Sequence, residues 1–600
     1  VPFAFRITPS VVFSSLVSLL ILGTALFFQP AGSHAFAIKN EIAILLAAAL
    51  AAAVSFHGHI GRPAIPRPAA WALAAWILAM AVSLAFAANP RLGLAPLAYS
   101  TAMAGLFVMV ASLDESRLPA AWINRSIVIA GVLMALYGAK QYFWPQLLDP
   151  GFSAVGKMRV YSTLGNPNLA AIFLAVAAGF TWQAVRDART PAGRLLPSAA
   201  LLVQLAGLGL TGSRSGLIAL GVLAGTYGYL HWKQPWPRFW RWAGLAALAA
   251  MAAGVLYSGW GQALLSAHSL KGRVLIWLAA TSMVVDRPFS GIGLGNFGIH
   301  YLASQHHLLS RPGFASFAEN ATATANAHHD FLQVFAETGV VGGAGLAVLV
   351  IAVLWRGLAA VQRDASMTVC WAGLAGLVVA ALLNRVLDYA PLGVLFWVLA
   401  GRLCRPETGA GVRLGSLGRV AGIAFLGIAM FSAASVARTW AGNAAEDRGD
   451  REFAEKHYAL AAEAYAQAEK RLPLGGTLRR KRANALLRAG QNEEALAELE
   501  AASRCSGDMG ILYLKAEVLA RLRRWEEAVA VYRFLGETFP THVTPHFMLG
   551  QFYAQAGMRP QARREFERVI AIRPSRFDRQ LNRQKVERQK ELARFFLQTL

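Results

Sequence analysis

Charge is scarce in this chain. Of its 600 residues 15% are Asp, Glu, Lys or Arg and 56% are hydrophobic, whereas soluble domains carry about 25% charged residues. A string of ordinary soluble domains is thereby excluded. Acidic residues are the scarcer sign, 33 against 57 Lys and Arg, for a formal net charge of +24. Nucleic-acid binding needs a basic face on a soluble fold, and here the basic excess lies between apolar runs, so no nucleic-acid partner is indicated. Cysteine is nearly missing: Cys370, Cys404 and Cys505 stand far apart and in no motif, which leaves neither a disulfide framework nor a metal site. Internal duplication of the apolar part, the usual mark of a transporter, is also lacking, and this favours an enzyme over a transporter.

What is present is a series of apolar runs. A bilayer core about 30 Å thick takes roughly 20 helical residues, and thirteen runs qualify, near 10–28, 41–56, 70–88, 96–112, 126–144, 168–185, 196–212, 215–230, 239–258, 339–355, 366–386, 389–403 and 417–436. The expected fold is an all-α polytopic bundle over 1–439, with a soluble helical domain over 440–600. The first run follows Arg6 without a small-residue cleavage site and reads as a retained helix. Lys and Arg accumulate in cytoplasmic loops. Placing the N-terminus inside puts Arg62, Arg67, Arg117, Arg125, Arg186, Arg189, Arg194, Lys233, Arg238, Arg241, Arg356, Arg363, Arg402, Arg405, Arg413 and Arg419 there. The loop 259–338 and, with thirteen spans, the tail then face outward.

The tail has a period. Ala461, Ala495, Ala528 and Ala562 recur every 33 or 34 residues, each followed four residues later by Tyr465, Leu499, Tyr532 or Phe566. Twelve residues after each alanine come Pro473, Gly507, Pro540 and Pro574. Small residues let paired helices approach and proline ends the second helix. Over 450–575 this resembles tetratricopeptide repeats, a helical spacer or a surface for a protein partner, and the basic stretch 576–600 reads as a capping helix.

The chemistry-bearing residues gather at the outward loop and its flanks. Thr211-Gly212-Ser213-Arg214 puts a guanidinium at a membrane boundary, where it needs a partner or an anionic ligand. Arg273 and Trp277 are four apart, on one face of a short amphipathic helix. Gly291-Ile292-Gly293-Leu294-Gly295-Asn296 has glycines but no strand-turn-helix context for a nucleotide. His328 and His329 precede Asp330 where the loop re-enters the membrane. Histidine suits general-base chemistry near neutral pH, and neighbours on a helix point about 100° apart, which argues against a shared metal. His306 and His307 read as solvated loop residues.

In order and spacing, Thr-Gly-Ser-Arg at 211–214, Gly272-Arg273 with Trp277, Asp286-Arg287-Pro288 through Asn296-Phe297, and His328 with Leu332, Gln333, Glu337 and Gly339 resemble one superfamily. It comprises the bacterial O-antigen ligases, O-antigen polymerases and O-linked protein oligosaccharyltransferases, and the likeness covers roughly 160–400. Gly165-Asn166-Pro167-Asn168 and Asp388-Tyr389-Ala390-Pro391 fit as well. The resemblance implies a GT-C-like membrane glycosyltransferase that uses an undecaprenyl-diphosphate-linked glycan without metal or other cofactor. Arg214 and Arg273 would hold the diphosphate and His328 would be the essential histidine. Because His329 stands where the family usually has Asn, either histidine is open to that role, with register favouring His328. Asn166, Asn168, His329, Tyr389 and Trp277 are further substrate-binding candidates. Transfer to lipid A core ranks first among acceptors, then a protein hydroxyl or the growing glycan. The implied location is the bacterial inner membrane, with the loop and the repeats in the periplasm.

Overall fold

The computed structural model describes residues 8–27, 35–144, 159–231, 268–406, 411–472, 475–573 and 583–600. The apolar run 239–258, the basic residues Lys233, Arg238 and Arg241, and Pro473 and Pro574 lie outside the described residues. By contact the chain forms two compact units, one from 1–83, 93–233 and 328–443, the other from 84–92, 234–327 and 444–600.

The first unit is a bundle of apolar helices: α1 (Pro9–Leu26), α2 (Ala35–His57), α3 (Arg67–Ser83), α4 (Arg91–Ser112), α5 (Ala120–Phe143), α6 (Pro167–Asp187), α7 (Pro191–Thr211) and α8 (Arg214–His231). The second unit's loop supplies α9 (His268–Asp286) and α10 (Phe297–Leu309), after which the bundle resumes with α11 (Asp330–Arg363), α12 (Thr368–Ala381), α13 (Ala390–Leu403) and α14 (Gly415–Ala454). Among the described residues nine helices are long and apolar enough to cross a membrane. The protein is an all-α multi-pass membrane protein, and its strands, His59–Gly61 and Gly411–Arg413, make one short antiparallel pair.

Helices α6 and α13 form the centre. Every residue of α6 from Leu169 to Thr181 is buried, as is all of α13, so neither stretch has a lipid face. Small residues permit the close approach: a Cβ on Gly216 of α8 would run into Ala171 of α6. Gln204, fully buried on α7, accepts from the Thr181 hydroxyl (2.8 Å) and donates to the Val128 carbonyl (3.1 Å). Peripheral helices turn apolar side chains outward, with Leu196, Trp355 and Phe431 about four-fifths exposed, as lipid contact requires.

Several helices differ from the expected spans, α14 among them, which runs to Ala454 where 417–436 was expected. The run from 339 is the second part of a longer helix, because α11 starts at Asp330 and breaks at Gly339 (φ 72°), where a left-handed backbone favours glycine. The run 366–386 is helical only to Ala381, and α12 and α13, at 14 residues each, reach about 21 Å apiece and fall short of a full crossing.

In the second unit the tail folds into α15 (Tyr458–Glu469), α16 (Gly476–Arg488), α17 (Asn492–Ser503), α18 (Met509–Arg521), α19 (Trp525–Thr538), α20 (Val543–Gln555), α21 (Arg559–Ala571) and α22 (Arg583–Thr599). Ala461, Ala495, Ala528 and Ala562 are fully buried, with Tyr465, Leu499, Tyr532 and Phe566 beside them in the core. The periodic residues therefore form the inter-helix seam, and α22 covers its end by stacking Phe596 on Phe566 (5.0 Å between ring centres).

Since the loop helices and the repeats share one unit, the fold predicts that they face the same side of a membrane. Cysteines placed at exposed Ser310 and Trp525, in a chain with Cys505→Ser, are expected to react alike with an impermeant maleimide in intact spheroplasts. Labelling of one without the other would contradict the fold.

Candidate functional site

The first unit gathers five helix starts, those of α2, α6, α8, α11 and α13, through one chain of hydrogen bonds. At α6, Asn166 caps the helix by accepting from the Asn168 and Leu169 amides (2.9 and 3.4 Å). Asn168 in turn accepts from the Ser213 hydroxyl (2.8 Å), one residue before α8. Arg159 donates to Asn168 Oδ1 (2.9 Å) and to the Thr211 carbonyl (2.8 Å), locking the left-handed turn at Gly212 (φ 56°). Tyr389, ahead of α13, gives its buried hydroxyl to the Leu164 carbonyl (2.7 Å). On α2, Lys39 donates to the Thr163 carbonyl (2.9 Å), while Asn40 binds the Asp388 carbonyl and the Ala390 amide (3.0 Å each). Asp330, the first residue of α11, accepts from the Val386 and Leu387 amides (2.7 and 2.9 Å).

Arg214 stands exposed as the first residue of α8. Among the described residues no recorded hydrogen bond or ion pair engages its guanidinium. Helix N-termini present unsatisfied N–H groups and about half a positive charge each, so this end of the bundle is suited to an anion before any side-chain charge is counted.

The two histidines do not sit on a helix, as the sequence reading had them. His328 holds a left-handed backbone (φ 50°), an uncommon conformation for a residue with a Cβ and a frequent one at functional sites. His329 is the N-cap of α11, its Nδ1 accepting from the Leu332 amide (3.1 Å). That bond requires a lone pair on Nδ1, so the neutral ring carries its proton on Nε2. Burial pushes the His329 pKa below the ordinary histidine value, consistent with a neutral cap. An asparagine at this position would cap equally well.

In the second unit Arg273 lies half-buried on α9. Burial pulls its guanidinium below the usual arginine range, and among the described residues no recorded hydrogen bond or ion pair compensates it. One turn on, the Trp277 indole donates to the Ala327 carbonyl (3.1 Å), the peptide bonded to His328. The glycine run is architectural. Gly291, Gly293 and Gly295 all have positive φ, and a Cβ on Gly293 would strike Ala87. Asn296, fully buried, accepts from the Asn89 amide (2.9 Å) and donates to the Asn89 carbonyl (3.1 Å). His306 is not a solvated loop residue either: its ring packs on Phe534 of α19, 5.1 Å between centres. His307 is exposed and bonded to Arg311. Among the described residues, the one trio of side chains spaced for a metal is half-buried Glu452 with exposed Glu455 and His457, where His457 pairs with Glu452.

Sequence reasoning missed Lys39, Arg159 and Arg385. Lys39 had a signal, a lysine inside an apolar run. Arg385, ion-paired with Asp388, has Asp388, Asp330 and Glu337 within electrostatic range; its signal was a basic residue beside Asp388-Tyr389-Ala390-Pro391. Arg159 had none, because its role depends on folding back onto Asn168.

The fold and site define a multi-pass membrane protein with an anion-suited end. Residues 199–347 match the family model described as O-antigen ligase, a segment that contains Arg214, Arg273 and His328. The crystal structure of YrrB, a TPR protein with an unusual peptide-binding site, is similar at 22% identity and a TM-score of 0.21, over 27% of this chain and 83% of that one. No curated protein matches the chain.

His329→Ala is expected to remove the α11 cap at a cost of about 1 kcal/mol, and His329→Asn to restore it. Because the folded-state pKa is depressed, the stabilisation by the neutral ring is present above the unfolded value near 6.5 and lost as pH falls through the folded one. Melting temperatures between pH 7.5 and 5 should therefore drop more steeply for the wild type than for His329→Asn.

Proposed function

We propose that this protein is a glycosyltransferase of the O-antigen ligase kind that moves a glycan from an undecaprenyl-diphosphate carrier to an acceptor hydroxyl, most simply on lipid A core. The observation that carries the reading is the set of helix starts around exposed Arg214, a residue inside the 199–347 segment that matches the O-antigen ligase family. The proposed setting is the bacterial inner membrane, with loop and repeats in the periplasm.

The chemistry follows from the residue types. The acceptor oxygen attacks the anomeric carbon as the bond from that carbon to the phosphate oxygen breaks. The bonding electrons leave with the diphosphate, whose charge Arg214 and Arg273 take up through charge-assisted hydrogen bonds. The acceptor proton passes to a ring nitrogen of His328, for which the cap at His329 leaves the first histidine as the better candidate. Direct displacement inverts the anomeric centre and needs neither a covalent glycosyl-enzyme nor Mg²⁺. Transfer to a protein hydroxyl is the second reading, favoured by repeats that fold in one unit with the loop.

Purified protein with lipid-linked glycan should glycosylate lipid A core, in parallel with free lipid-linked glycan and a Ser-rich periplasmic protein as competing acceptors. Arg214→Ala, Arg273→Ala and His328→Ala are each expected to lower turnover by about 10² or more, and EDTA to leave it unchanged. Full turnover in any of the three variants would remove that residue from the mechanism; loss in EDTA would end the metal-free scheme.

A further inference from the structure

The repeat seam has one irregularity. Where the other three units have Pro473, Pro540 and Pro574, the second has Gly507. The structure supplies a reason, since a Cβ on Gly507 would be driven into the carbonyl oxygen of Gly298, near the start of α10. The turn after α17 lies directly on the backbone of the loop helix, and a proline ring cannot be accommodated there.

Two further contacts join repeats and loop within the same unit. Gln305 of α10, fully buried, donates from Nε2 to the Thr538 carbonyl at the end of α19 (3.1 Å). Its Oε1 accepts from the Tyr301 hydroxyl and the Thr322 amide (2.8 and 3.1 Å). Asn89 donates to the Arg504 carbonyl (3.1 Å) and contacts Cys505 Sγ (3.6 Å), while its backbone is held by Asn296. The loop helix α10 is thus fastened to the repeats at both ends, and the 287–296 turn that joins it to α9 is fastened through Asn89.

We propose that the repeat domain is a positioning element for the loop, acting in cis: by clamping α10 and the 84–92 segment it fixes α9 and the Arg273 guanidinium that α9 carries. The effect on turnover rests on the transferase reading; the clamp itself does not. A half-buried arginine stabilises a developing charge only if it is already in place, and α9, packed on α10, inherits its position from the clamp. Gly507, Gln305 and Asn89 act through Arg273 and are positioning residues.

The test uses the full chain in lipid nanodiscs. Gly507→Pro installs the residue of the other three units, so amide exchange in α18–α21 should stay at the wild-type level. Exchange in α10 should accelerate, and kcat should fall at least tenfold with KM for the lipid-linked donor within about twofold. Gln305→Ala should change α10 exchange and kcat in the same direction. Asn89→Cys, placed against native Cys505, should form a disulfide under mild oxidation, and in the Gly507→Pro chain this tether should restore kcat until reductant is added. Wild-type α10 exchange in Gly507→Pro, or failure of Asn89→Cys to link to Cys505, would overturn the clamp. Faster exchange with unchanged kcat would overturn its positioning role. If the wild type transfers no glycan at all, the transferase reading fails, while exchange and cross-linking still report on the clamp.

Discussion

A helix that begins near a membrane surface leaves its first amides without partners, and lipid offers none. In this protein the starts of five helices meet, and the bonds from Asn166, Asn168, Ser213, Asn40, Asp330 and Tyr389 satisfy the segments around them with side chains drawn from neighbouring helices. Each bond is worth only about 1 kcal/mol net. Their joint effect is geometric, since no one helix can shift along its axis without breaking a bond to the next. The anion-suited end depends on that frame, because aligned helix dipoles add only while the helices keep their register.

The frame also decides which polar groups are free to act. The Tyr389 hydroxyl, Asn166 Oδ1 and His329 Nδ1 are engaged in holding backbone, so mutation of any of these residues changes the bundle as well as any ligand contact. Arg214 and Arg273 stand apart in this respect. Among the described residues neither guanidinium has a recorded hydrogen bond or ion pair, and a half-buried charge such as Arg273 costs stability where nothing offsets it. A fold tolerates such a cost where a ligand of opposite charge recovers it, as functional sites commonly do.

Much of this was legible in the sequence. Hydropathy located the helices because lipid imposes one composition on every span, and a fixed spacing located the repeats because each unit solves the same packing problem. The histidine pair was legible as a site but not as geometry: only a backbone break at His328 and a cap at His329 separate the two rings, and neither leaves a compositional trace. Lys39 and Arg159 escaped because their acceptors, the Thr163 and Thr211 carbonyls, are backbone atoms more than fifty residues away. The grouping of 84–92 with the loop was equally invisible, since Asn296 recognises the main chain of Asn89 and reads no side chain there.

Gly507 reverses that pattern, for here a departure from a repeat was visible in the sequence and its cause was not. The repeat carries proline at this position in three units of four, so glycine here gives up the conformational restriction that proline imposes on the unfolded chain, about 0.4–1 kcal/mol. The compensation is external: the missing side chain lets the repeat turn reach the Gly298 carbonyl. A tail that served only as a spacer would have no use for this close approach. That the exception falls on a turn whose backbone meets the loop helix at Gly298 ties the repeats to whatever work Arg273 performs.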